Sequence, residues 1–410
     1  MLTMKYIVIL GDGMADYPVP QLGGKTPLQV ADKPFMNQLA KKSVLGMVRT
    51  VPAGLPPGSD VANLSVLGYD PRKCYTGRSP LEAISMGVNM ADTDVAFRCN
   101  LVTLSGESDY AQKKMVDYSS DEISSEEARE IIQAVKARFG DSEFKFYPGV
   151  SYRHLMIWQN GETELDLTPP HDISDRVIGP YLPKGKRAEK LLNMMRESST
   201  FLPDLPVNAA RRQRGLRSAT SLWFWGHGKK PALPKFYDKY GLTGAVISAV
   251  DLTKGIGICA GLDVINVPGA TGNIHTNFRG KAEAALAELK KGKDFVYIHI
   301  EAPDEAGHRG ELQTKIKAIE EIDRNVIGTI MEEVRDWQDY KLMLLPDHPT
   351  PLVKKTHVDD PVPFLIFESM APRNNEIPGY DERISSFKDK IIFDEGFALM
   401  DYFIGKKVSN

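Results

Sequence analysis

Apolar positions in this chain gather into short runs that end at glycine or at an acidic residue, and stretches of helical spacing separate them. Lys5 to Leu10 is the first run, a β-rich segment that stops at Gly11-Asp12-Gly13. Residues 33–42 carry helical spacing, and 43–50 read as a second strand. A turn-forming run, Pro52-Ala53-Gly54-Leu55-Pro56-Pro57-Gly58, follows. Ser59 to Leu67 then has helical character and stops at Gly68.

From about Val95 the texture changes. Strands are expected at 97–104, 144–147 and 154–159, with a capped helix at 120–139 and another helix at 188–197. Proline and glycine cluster at 168–185, and Pro231-Ala232-Leu233-Pro234-Lys235-Phe236 reads as a boundary. The aromatic run Leu222-Trp223-Phe224-Trp225-Gly226 is assigned to a buried strand or a domain joint, without chemistry. Beyond the boundary the strand–helix alternation returns. Strands are expected at 245–250, 264–267, 294–300, 341–345 and 362–367, and helices at 255–261, 278–290 and 313–334. Chemistry-bearing residues repeatedly follow strands, at the carboxyl edge where open α/β sheets place their sites. The pattern predicts an α/β fold. Residues 1–90 and 235–410 form a mostly parallel sheet sandwiched by helices, and a smaller domain is inserted at 91–234.

Composition narrows the classes. With 42% hydrophobic and 26% charged residues over 410 positions, the chain reads as globular. A net charge of −3 supplies no basic field, which argues against a nucleic-acid partner. The three cysteines, Cys74, Cys99 and Cys259, are scattered and form neither a disulfide framework nor a thiolate metal motif, so a reducing cytoplasm is expected. No run of about 18 apolar residues could span a bilayer. The N-terminal apolar run is too short for a signal segment.

Four short stretches supply metal-type ligands. Asp304 and His308 are four apart, so on a helical turn both face one side, the spacing a carboxylate–imidazole chelate needs. Asp347-His348 follows a strand, and adjacent residues diverge, so each could serve a different ion. His357 lies nine residues further along one loop, stiffened by Pro349 and Pro351. Asp12 completes the set. Together these are the oxygen and imidazole ligands that borderline divalent metals take, and a paired site is a clamp for phosphoryl transfer. Ser59 is the candidate nucleophile. It opens a helix as its expected N-cap, where amides would also stabilise a phosphate. Metal coordination would lower the hydroxyl pKa. Lys254 lies after a strand on the same functional edge. The insert carries Arg98, Arg153, His154, His171, Arg211 and Arg214, basic groups suited to carboxylate or phosphate.

These motifs resemble the cofactor-independent phosphoglycerate mutases, in their archaeal-type branch, within the alkaline phosphatase superfamily. The resemblance rests on Gly-Asp-Gly-Met-Ala-Asp (11–16), Gly-Ser-Asp-Val-Ala-Asn-Leu-Ser-Val-Leu-Gly-Tyr-Asp (58–70) and Gly-Arg-Ser-Pro-Leu-Glu-Ala (77–83). Further along are Phe-Arg-Cys-Asn (97–100), Val-Pro-Gly-Ala-Thr-Gly (267–272), Glu-Ala-Pro-Asp-Glu-Ala-Gly-His (301–308) and Asp-His-Pro-Thr-Pro (347–351). It implies an alkaline-phosphatase-like sheet with an inserted α+β domain. It also implies that Asp304, His308 and His357 hold one metal, while Asp12, Asp347, His348 and the Ser59 oxygen hold the other. Ser59 would be phosphorylated in turnover, and Lys254 would bind phosphate at the domain interface. The insert's Arg98, Arg153, His154, His171, Arg211 and Arg214 would hold the glycerate. Manganese is the first choice of metal by resemblance, with zinc, cobalt or magnesium compatible, and no 2,3-bisphosphoglycerate is required. Gly58 and Asp60, flanking the nucleophile, mark the short branch.

The resulting expectation is interconversion of 3- and 2-phosphoglycerate, with the insert excluding water. One alternative keeps the metal–serine core and changes the acceptor to a small hydroxy-amino acid such as homoserine. A plain phosphomonoesterase and a degenerate binding protein are further alternatives; the complete ligand set argues against degeneracy.

Overall fold

The structure, a computed structural model, describes residues 4–406. The chain divides into two compact units, one running to Tyr75 and resuming at Ala232, the other comprising Thr76–Pro231. The first junction precedes the position 90 expected from sequence. Helix Ser79–Ser85 packs on strands Val95–Leu104 and Ser221–Lys229 of the second unit, and Ser79 Oγ donates to the Gly226 carbonyl at 2.6 Å.

The first unit is built on eight strands: β1 Lys5–Gly11, β2 Val44–Val48, β3 Gly244–Ile247, β4 Asp263–Ile265, β5 Phe295–Ile300, β6 Tyr340–Leu345, β7 Val362–Glu368 and β8 Ile391–Phe393. Their order is β4-β3-β5-β1-β6-β7-β2-β8. Only β7 runs against the others, pairing antiparallel with β6 and with β2. The central strands β5 and β1 are almost wholly buried, as expected of a parallel sheet covered on both faces. That is why they read as unbroken apolar runs rather than alternating ones. The helices that position the site are α1 Pro34–Lys42, α2 Ser59–Val66, α3 Asp251–Cys259, α4 Phe278–Lys290, α5 Ala302–Arg309 and α6 Leu312–Glu321. Residues of α1, α4 and α6 join β1, β5 and β6 in one core that includes Ile9, Met36, Ala282, Ile298, Ile319 and Leu344.

The single helix expected at 313–334 has a π-helical segment, Ile322–Ile327, between two α-helical pieces. α3 begins at Asp251, four residues before the expected 255, so Lys254 lies in its first turn. Strand β8 and the terminal helix Ala398–Ile404 were not anticipated. Both follow polar, turn-rich sequence, and β8 has only three residues.

The second unit is an antiparallel sheet with helices. Strand Val95–Leu104 lies between Arg153–Trp158 and Ser221–Lys229, and the latter carries the buried aromatic run. The helix expected at 120–139 starts at Ser125, capped by the Ser124 side chain. Ser120, Asp121 and Glu122 are held at positive φ and cannot be helical.

Candidate active site

Three neighbouring parallel strands deliver the candidate ligands to one edge. Gly11 of β1 pairs with Ile300 of β5, and Leu10 pairs with Leu345 of β6. The residues that follow each strand, Asp12, Glu301 with Asp304, and Asp347 with His348, therefore emerge side by side. Between them Gly13 holds φ at +59°, and a Cβ there would lie 2.6 Å from both Asp304 Oδ1 and Thr350 Oγ1. Only glycine fits the turn. The freed space lets the Gly13 amide donate to Asp347 Oδ1 at 3.1 Å.

Ser59 was expected as the N-cap of its helix. The cap is Gly58 instead, and Ser59 is the first helical residue. Its Oγ lies 3.1 Å from His348 Nε2 and 3.5 Å from Asp12 Oδ2. One turn later, Asn63 Nδ2 donates to the Ser59 carbonyl at 2.8 Å and to Asp347 Oδ2 at 3.0 Å. The Tyr297 hydroxyl donates to Asn63 Oδ1 at 2.7 Å. The serine and one ligand carboxylate are thus tied to the same buried amide. Asn63, Tyr297 and the buried His299, whose Nε2 is 3.0 Å from Asp12 Oδ2, had no assigned role in the sequence reading. The four-residue step from Ser59 could have flagged Asn63. Nothing distinguishes His299 from a core histidine inside an apolar strand.

The ligand atoms converge in overlapping groups. Asp12, Asp347 and His348 form one, Asp304, His348 and His357 a second, and Asp12, Glu301 and Asp304 a third, each with its ligand atoms within 4.8 Å of one another. His308 joins the second: its Nε2 lies 3.3 Å from Asp304 Oδ2 and 2.9 Å from His357 Nε2. Two imidazole nitrogens facing one another beside a carboxylate are a natural pair of cation ligands. Asp12 Oδ1 is buried and has no hydrogen-bond partner among the described residues. Burial, with the charges of Asp347, Asp304 and Glu301, pushes the Asp12 carboxyl well above its usual range. A divalent cation would relieve that repulsion. Burial also raises Asp304, but hydrogen bonds from His308 and His357 outweigh it and hold the carboxyl well below its usual range. Burial lowers His308, yet its bond to Asp304 and that carboxylate's charge carry it up to about 9. Burial lowers His348, which favours its neutral imidazole, and takes His299 down to about 4. The donor set fits divalent metals of mixed oxygen and nitrogen preference.

Lys254 is within 3.8 Å of Asp251 on α3. Nearby is the fully buried Lys281 of α4, whose Nζ donates to the His299 carbonyl at 3.1 Å; burial lowers it to about 8 while Glu301 opposes. Gly272, in the 267–272 motif, approaches Glu301 so closely that a Cβ would lie 2.1 Å from Oε2.

In the second unit the candidate residues separate by use. Arg211 is 1% exposed, and its guanidinium donates to Glu127 and to the carbonyls of Ser120 and Arg217. Those bonds tie Arg211 to the positive-φ turn at 120–122. Exposed Arg214 shares the Glu127 carboxylate. Arg98 pairs with Glu82, at 2.8 Å from Nε, and stacks 4.8 Å from the Trp225 ring centroid. His154 is buried, accepts from the Gly149 amide at Nδ1, and leaves Nε2 without a hydrogen-bond partner among the described residues. Arg153 is exposed and lies over Tyr152, and the His171 ring packs edge-on to Trp225 and Tyr118.

A serine at a helix start, flanked by carboxylate–imidazole clusters on a parallel sheet edge, is the arrangement that metal-assisted phosphoryl transfer calls for. The family model described as 2,3-bisphosphoglycerate-independent phosphoglycerate mutase matches residues 40–208. The probable enzyme of that name from Geobacter sulfurreducens is 53% identical over 403 residues, covering 98% of this chain and 100% of the relative. The Methanosarcina barkeri enzyme is 49% identical, covering 92% and 94%. Among solved structures, a Pyrococcus horikoshii protein matches with a TM-score of 0.82 at 29% identity over the full length of both chains. The cofactor-independent phosphoglycerate mutase of Thermoplasma acidophilum matches at 0.65 and 26% identity, covering 98% and 99%. The chain belongs to the 2,3-bisphosphoglycerate-independent phosphoglycerate mutase family.

Proposed function

We infer that this isomerase interconverts 3-phosphoglycerate and 2-phosphoglycerate without 2,3-bisphosphoglycerate, by way of a phosphorylated Ser59. The observation that carries the reading is Ser59 Oγ, set at the first residue of α2 within 3.1 Å of His348 and 3.5 Å of Asp12. Asp304, His308 and His357 would hold one divalent cation, and Asp12, Asp347, His348 and Ser59 the other. Manganese is the metal proposed. When bound, the cations neutralise phosphoryl oxygens and favour the ionised serine.

The chain's own residues do the rest. Ser59 Oγ, once it gives up its proton, forms a bond to phosphorus as the bond to the substrate's 3-oxygen breaks, and that oxygen takes a proton. The 2-hydroxyl oxygen of the retained glycerate then bonds to phosphorus as the bond to Ser59 Oγ breaks, and its proton replaces the one that Ser59 gave up. The amides of Ser59 and Asp60 at the start of α2, with the helix dipole, favour the dianion on Ser59. Asn63 keeps the Asp347 carboxylate and the Ser59 backbone in register. His299, neutral, sits against Asp12. Lys254 is proposed to bind phosphate, and Arg98, Arg153, His154, His171 and Arg214 are the groups proposed to hold glycerate. No described helix is long and apolar enough to cross a membrane, and a cytoplasmic location is proposed.

Rapid-quench mass spectrometry during turnover of 3-phosphoglycerate tests the serine. Phosphate is expected on Ser59, and Ser59→Ala is expected to lose activity by roughly 10⁴-fold or more while retaining metal. Retained activity in that variant would remove Ser59 from the mechanism. No observation of its own favours homoserine as acceptor; the relatives at 53% and 49% identity carry the mutase name.

A further inference from the structure

Lys315 has no exposed side-chain surface, and its ammonium points at the loops that carry the ligands. Nζ donates to Asp16 Oδ2 at 2.7 Å, to the Thr350 carbonyl at 2.8 Å and to the Ala15 carbonyl at 3.3 Å. Ala15 and Asp16 belong to the loop that leaves β1 just after Asp12. Thr350 belongs to the loop that leaves β6 just after His348. One ammonium therefore joins the two loops.

Other contacts carry the connection into the site. The Asp16 carboxylate accepts from the amides of Tyr17 at 2.7 Å and Leu352 at 3.2 Å. The Thr350 amide donates to Ala15, and Pro349 bridges to Met14 and Ala15. At the far end Thr350 Oγ1 donates to Asp304 Oδ1 and lies 3.3 Å from His348 Nδ1. A His ligand held at its second ring nitrogen, and a carboxylate ligand held at one oxygen, have their orientations fixed from outside the coordination sphere.

A buried ion pair is poor value as a source of stability, because desolvation of both charges cancels most of the attraction. An apolar pair of similar volume would serve a merely structural purpose as well. Three acceptors from two different loops, converging on one nitrogen, fix a geometry that apolar packing does not specify.

We propose that Lys315 is a positioning residue for the metal centre: with Asp16 it sets Thr350, and through Thr350 it orients Asp304 and His348. The proposal rests on the two-metal reading above. Its test is titration of manganese into chelator-treated protein, with the melting temperature of each metal-free form measured alongside. Lys315→Met is expected to weaken manganese affinity about 10–100-fold. It leaves Asp16 buried and unpaired, so a second variant separates positioning from folding. Asp16→Asn with Lys315→Met removes both charges. It is expected to recover the melting temperature and not the affinity. Affinity within about twofold of wild type in either variant would overturn the proposal. So would recovery of affinity together with stability in the double variant. Should Lys315→Met not fold, Thr350→Val decides through the last link: weaker manganese binding at an unchanged melting temperature supports the proposal, and unchanged binding overturns it. Wild-type protein that binds no manganese would instead defeat the two-metal reading, so the two failures are told apart.

Discussion

A methyl group at position 13 is the smallest change that would dismantle the site. Gly13 sits at φ +59° with Asp304 and Thr350 both 2.6 Å from where a Cβ would be. Gly13→Ala must shift the Asp304 carboxylate or the turn that aims Asp12 and Asp347. A displacement near 1 Å costs on the order of 10²-fold in rate. The variant is expected to lose at least that much mutase activity and to bind manganese more weakly, read by coupled assay and metal titration. Wild-type affinity and rate would show that the turn relaxes without cost. Individual candidate ligands stood out because chemistry restricts them: Asp12, Asp304, His308, Asp347, His348 and His357 are of residue types that can bind metal, and they follow strands or share a helical face. Lys315 and Thr350 were not legible, because a lysine or a threonine that holds another residue has no distinctive spacing. Arg211 shows the opposite difficulty. Its charge marked it as a substrate group, and its burial against Glu127 and two carbonyls could not be read from sequence.

Element boundaries followed the same division. Long buried strands and α4, found at 278–290 as expected, are set by local apolar pattern. The π-helical segment at Ile322–Ile327 is set by tertiary contacts instead. Within it Asp323 reaches the first turn of α1, accepting from the amides of Met36 at 2.7 Å and Phe35 at 3.2 Å. Lys33, the N-cap of α1, supplies no side-chain cap, so Asp323 caps the helix from another element. Asp323→Ala would leave two amides unpaired and is expected to destabilise the protein by about 1–3 kcal/mol in denaturant melts. Burial pushes the Asp323 carboxyl from 3.8 up to about 6, against the lowering by those amides. Its folded pKa exceeds the unfolded value, so the folded state binds this proton more tightly. The contribution to stability is complete below the unfolded value and is lost as pH rises through about 6. Stability of wild type relative to Asp323→Asn should therefore fall between those two pH values. A flat difference would contradict the burial argument.

The whole molecule makes sense as a split α/β sheet unit whose carboxyl edge gathers ligands from opposite ends of the chain, with a second unit between the halves. That division was visible as a change of texture near 95 and a proline-rich boundary near 231, because a covered parallel sheet and an antiparallel sheet are written in different apolar periods. The first junction was misplaced, since helix Ser79–Ser85 packs with sequence that comes after it. Charge follows the same logic. Buried Asp12, Asp304 and Asp347 lie together with half-buried Glu301 beside them, so the account makes cations necessary to the active state. The direct measurement is an enolase-coupled assay of 3-phosphoglycerate conversion by purified protein, with manganese, after chelation, and without 2,3-bisphosphoglycerate throughout. The account predicts turnover with manganese, loss on chelation and recovery on readdition. Turnover that survives chelation, or manganese-loaded protein that leaves 3-phosphoglycerate unchanged, would contradict it.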